Sequence, residues 1–131
     1  MKLSTFAIII TILAFGFGLA FVFIPVKLMA IYGIALDNAG AWMARYYGLA
    51  NLFIGLIFWS YSGVSPAAKS WPKLLTFSLI YNIMQVVLTV AWILTGVGNS
   101  MGWTTVALFV LLAVGNLYFL SQSKSARVAA V

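Results

Sequence analysis

The chain has 131 residues, room for one domain, and is 65% apolar and only 6% charged, with a mean hydropathy of +1.15. A soluble domain carries about 25% charged residues, so water is excluded as the main solvent and a bilayer is the natural one. The net charge of +6 comes with no basic cluster or reading motif, which argues against nucleic acid, and with no cysteine, no histidine and one acid the chain has no disulfides, thiol redox chemistry, common haem, zinc or iron–sulfur ligands, or paired carboxylates.

These residues predict an all-α integral membrane four-helix bundle, a single transmembrane domain over residues 1–131. The first span is expected at about 3–24, LSTFAIIITILAFGFGLAFVFI. It begins like a secretory leader, with Lys2 before an apolar run, but the run is long for a leader core and no A-x-A site closes it. It is therefore expected to be a retained helix. Pro25 ends it or starts the next segment, and the apolar stretch VKLMAIYGIAL that follows is helix-compatible but too short to cross. This stretch predicts a short interfacial helical segment between helices one and two.

The second span is expected at about 40–62, with Asp37-Asn38 supplying an N-cap. Ala44, Gly48, Asn51 and Gly55 fall on one face of it, a pattern that lets a neighbouring helix approach closely. Arg45 lies in its first turns, about 7 Å along the axis from Gly40. Three roles are open to Arg45: snorkelling to outer headgroups, turning inward onto loop carbonyls, or contacting a lipid phosphate or anionic ligand. Asp37, two turns earlier, is its one acidic neighbour, as an interfacial salt bridge or as a cap.

A turn-rich loop at 63–72 leads to the third span, expected at about 73–95, with Pro72 at its start. Ser78, Asn82, Gln85 and Thr89 form a polar stripe along it. The uncharged loop at 96–102 leads to the fourth span, about 103–121, which carries Asn116. Unpaired amides in hydrocarbon are costly, so Asn51, Asn82, Gln85 and Asn116 are expected to point inward, as structural hydrogen-bonding groups or as the polar contacts of a ligand. The tail SQSKSARVAAV is expected to fray.

Orientation follows from the cations. Lys2, Lys69, Lys73, Lys124 and Arg127 fall on one side and Lys27 and Arg45 on the other, five against two, which predicts both termini in the cytoplasm. Trp42, Tyr46, Tyr47, Trp71, Trp92 and Trp103 lie near the span ends, where an aromatic belt belongs.

GAWMARYYG resembles the GAxxRY pattern of small four-helix fluoride channels with one residue more before its Arg-Tyr, and their Phe-Thr-Thr-Phe-Ser type motif has no counterpart here. Small multidrug transporters share the four-helix size, yet their coupling glutamate is missing from the first span. A broader similarity runs through PVKLMAIYGIALDNAGAWMARYYGLANLFIGL, the amides of span three and GNSMGWTTVALFVLLAVGNLYFL. On these segments the chain resembles small bacterial four-helix integral membrane proteins of unknown function, loosely the DoxX-like group. That resemblance implies a bacterial inner (cytoplasmic) membrane, brings no catalytic residues, and offers a hint of association with membrane redox complexes.

The expected function is that of a non-catalytic structural or accessory subunit, packing within a homo-oligomer or larger membrane complex among membrane lipids. The alternative is a binder or carrier of a small lipophilic molecule (lipid, quinone or pigment) in an intramembrane pocket. No enzyme activity, metal or cofactor is expected, because tyrosines, amides and one arginine at depth are a poor set for acid–base work.

Overall fold

The computed structural model describes residues 2–128, with side chains as far as Ser123. It is all-helical over that range: α1 (Leu3–Phe23), α2 (Pro25–Ile31), α3 (Asn38–Tyr61), α4 (Trp71–Leu94) and α5 (Gly102–Val128). Among the described residues three stretches, Leu3–Phe23, Trp71–Leu94 and Gly102–Ser123, are long and apolar enough to cross a membrane. The fourth expected span, α3, has 24 residues, but Asn38, Arg45 and Asn51 among them lower its mean hydropathy, and it does not join the other three.

Local chemistry sets most of the ends. Pro25 occupies the first position of α2, where its missing N–H costs nothing, and the chain breaks from α1 at Ile24 just before it. At the other end of α2, Gly33 takes a left-handed φ of +79°. Its N–H donates to the Ala30 carbonyl at 3.0 Å and that of Ile34 to Met29 at 3.0 Å, the paired bonds of a Schellman stop. Gly96, with φ +74°, closes α4 in a related way, donating to Ile93 at 3.1 Å. The last helix departs from expectation, running on to Val128 through the tail thought to fray. SQSKSAR contains no glycine or proline to stop the helix. Residues 129–131 of that tail lie outside the described residues.

The chain divides into two compact units. In the first, residues 1–64 with 97–99, α1 and α3 run antiparallel and α2 folds against both. Gly18 faces Gly48, Gly55 faces Ala14 and Phe15, and Phe21 meets Tyr47 edge-on with ring centroids 4.9 Å apart. The small residues let the two backbones come close enough for dispersion contacts along their length, the main source of helix association where lipid surrounds the protein. Asn99 belongs to this unit and fastens the α2–α3 connection. Its side chain donates to the Ile31 carbonyl at 3.0 Å and its backbone N–H to that of Tyr32 at 2.9 Å.

In the second unit, residues 65–96 with 100–131, α4 and α5 form an antiparallel hairpin. Tyr81 and Phe109 meet edge-on at 6.2 Å, and near the loop Gly102 leaves room for the Ile93 side chain. Trp71, Leu75, Asn82 and Thr89 are buried on α4, and Gly102, Asn116 and Phe119 on α5. Trp71 therefore departs from the belt expected of it. At 1% exposure it is core, whereas Trp42 and Trp103 are exposed as belt residues should be.

Candidate functional site

The polar residues sort into two settings. Four amides sit inside the units: Asn51 in the first, and Asn82, Gln85 and Asn116 in the second. Asn51 donates to the Tyr47 carbonyl at 3.0 Å and Asn116 to that of Leu112 at 2.8 Å, each reaching one turn back along its own helix. Asn82 reaches the Ser78 hydroxyl at 3.5 Å, also one turn back. Gln85 is half-buried and has a partner of its own. This is an economical arrangement for an amide in an apolar setting, because a helix always offers the carbonyl four residues earlier as a second acceptor site. One atom is left over. Asn116 is fully buried, and its Oδ1 meets no donor among the described residues.

Sequence reasoning passed over Thr11. Its hydroxyl donates to the Ala7 carbonyl at 2.9 Å and leans toward that of Gly55 at 3.4 Å, so it touches both α1 and α3. Its place opposite a glycine was the available signal, but only the pairing of α1 with α3 gives that signal meaning.

The second setting is the head of α3, where the only acid of the chain and one of its two arginines stand. Asp37 is the N-cap: its carboxylate accepts the Gly40 N–H at 2.7 Å. A carboxylate there satisfies an orphan donor and faces the positive end of the helix dipole. Arg45 turns the other way. Its Nε–H donates to the carbonyl of Val22, in the last turn of α1, at 3.2 Å. That end of α1 carries carbonyls with no intrahelical donor, and a cation is favoured beside them. The guanidinium carbon stands 4.9 Å from the centre of the Trp42 ring, a cation–π distance. Asp37 and Arg45 thus each serve a helix end of opposite polarity.

A shallow open groove of about 240 Å³ lies elsewhere, lined by Pro72, Lys73, Thr76 and Phe77, and none of the four amides lines it. Among the described residues no three or more His, Cys, Asp or Glu side chains gather as a metal site. Comparison with models of known families, with characterised proteins and with solved structures gave no match.

Proposed function

We propose that the chain is a four-span integral membrane protein of a bacterial inner membrane, with both termini in the cytoplasm, working as a non-catalytic structural or accessory subunit. The observation that carries this reading is an inverted distribution of polarity. Asn51, Asn82, Thr89 and Asn116 are buried, while Ile12, Phe23, Phe53, Trp59, Phe77, Leu88 and Leu111 stand exposed. In water that arrangement would leave a large apolar surface wet and polar groups dry, both unfavourable. In a bilayer both signs reverse.

The same observation supports α3 as the fourth span despite its lower hydropathy. Its polar and small positions, Gly48, Asn51 and Gly55, are buried, and its outward positions include Trp42, Met43, Leu49, Phe53, Leu56 and Trp59. We read α2 as lying along the outer interface, with Lys27 exposed to headgroups. An outward surface so rich in aromatic and aliphatic side chains suits contact with copies of itself or with a larger membrane complex as well as with lipid. Native mass spectrometry and gentle copurification from native membranes test this. An oligomer or a stoichiometric membrane partner is expected; a strictly monomeric particle with no partner would count against it.

A second reading, a binder of a small lipophilic molecule, draws on the unpartnered Asn116 Oδ1, a buried acceptor that a hydroxyl or N–H donor of a ligand would satisfy. Solvent extraction of the purified protein, followed by mass spectrometry, would show a stoichiometric small molecule if this holds.

A further inference from the structure

We propose that Arg45 is a receptor for the phosphate of a membrane lipid headgroup, with its guanidinium held ready over Trp42 at the rim of the first unit. The inference rests on the reading of the chain as membrane-embedded and adds a ligand site to it. Two contacts fix the guanidinium plane before any ligand arrives: the Nε–H to the Val22 carbonyl at 3.2 Å and the Trp42 ring 4.9 Å beneath the central carbon. They engage one N–H and one face. Nη1 and Nη2 remain, with four N–H donors, and among the described residues no acceptor meets them. The only acidic side chain of the sequence, Asp37, faces its own helix end, its Oδ1 accepting the Gly40 N–H.

Among the described residues no acidic side chain pairs with Arg45, and an arginine close to hydrocarbon without a counter-ion is costly. A phosphate supplies the missing charge and two oxygens at the spacing of the guanidinium fork. The flanking chemistry selects a lipid as the source. Trp42 and Leu49, three residues before Arg45 and four after it, share its face of α3 and are both more than half exposed, offering an amphipathic ring at headgroup level and an apolar contact for an acyl chain below. Arg45 lies about 10 Å along α3 from its first residue, within reach of a headgroup for a side chain of this length.

The test uses the full chain, delipidated in non-ionic detergent and titrated with phosphatidylglycerol, with diacylglycerol and with inorganic phosphate, the bound species counted by native mass spectrometry. One phosphatidylglycerol is expected to bind well above the others, with diacylglycerol failing to compete and millimolar inorganic phosphate failing to displace it. Arg45→Gln is expected to weaken that binding about tenfold or more, and Arg45→Lys by less, since lysine keeps the charge and loses the planar fork. Equal binding by Arg45→Gln, equal competition by diacylglycerol, or displacement by inorganic phosphate would each overturn the proposal. Because Arg45→Gln also removes the bond to Val22, a second measurement leaves Arg45 in place. Arg127→Lys makes Arg45 the sole arginine, and with ¹⁵N-labelled guanidinium in phosphatidylglycerol bilayers its Nη signals should dephase against ³¹P. No dephasing refutes the site. Failure of the membrane reading itself is distinct: the chain would stay dispersed without detergent.

Discussion

Gly18 and Gly48 face each other so closely that a Cβ on Gly48 would stand 2.8 Å from the Gly18 carbonyl oxygen, and a Cβ on Gly18 would stand 3.0 Å from that of Gly48. The contact is backbone against backbone, so no rotamer change can relieve it. Gly48 is the less forgiving of the two: its Cβ would also meet Phe21 Cβ at 2.8 Å and Val22 Cγ2 at 2.9 Å, whereas the other close atoms at Gly18 are Leu52 side-chain carbons at 2.7 and 2.8 Å, which a rotamer change can move. Gly48→Ala should force α1 and α3 apart and destabilise the protein by about 1–3 kcal/mol. Gly16→Ala, at a position with nothing within 4 Å, should be neutral or stabilising by up to about 1 kcal/mol, because alanine is the better helix former. Thermal unfolding in one detergent, followed by circular dichroism, compares the pair. Equal shifts would mean that the seam does not hold the two helices together.

Asn116 offers a sharper choice between readings. If its buried, donor-less Oδ1 is only a structural cost, Asn116→Leu should raise stability by about 1 kcal/mol or leave it unchanged. If the oxygen serves a small lipophilic ligand, the same variant should lose a copurifying molecule and melt at a lower temperature. The melting midpoint and the extracted small molecules, read together, separate the two.

Asp37→Ala should cost about 0.5–2 kcal/mol through loss of the N-cap bond to Gly40, with Asp37→Asn or Asp37→Ser retaining most of it. Hydrogen exchange localises the effect. Amides of the first turn of α3 should exchange faster in Asp37→Ala, while those around Arg45 hold, since Arg45 is anchored to Val22 rather than to Asp37.

Topology can be read cleanly because the chain has no cysteine. Single cysteines at Ser65 and Ser100, both exposed, report the α3–α4 and α4–α5 connections. In intact cells a membrane-impermeant thiol reagent should label Ser100→Cys directly and Ser65→Cys only after permeabilisation. The opposite pattern would invert the orientation drawn from the lysines and arginines.

The elements were largely legible because their signals are local. Four apolar runs bounded by proline, glycine and an Asp-Asn cap placed the long helices to within a few residues at most ends, and the proline after α1 marked where the short helix begins. The pairing of elements was not legible. The stripe of Gly48, Asn51 and Gly55 and that of Asn82 and Thr89 marked faces of α3 and α4 that are buried, but nothing in either stripe names α1 or α5 as the helix on the other side. Arg45 shows the same limit: its partner, the Val22 carbonyl, is a backbone atom on another helix, and the side-chain sequence carries no mark of it. Trp71 was misplaced because a tryptophan before a proline at a span end reads as belt, whereas α4 turns it inward.

The backward reach of Asn51 to Tyr47, of Asn82 to Ser78 and of Asn116 to Leu112 bears on how the chain is made. In each case the amide nitrogen finds its acceptor four residues earlier, on a stretch the ribosome has already synthesised. A nascent segment of this kind can leave the insertion machinery sideways into lipid before its neighbour exists, since each of these amides already holds an acceptor on its own segment.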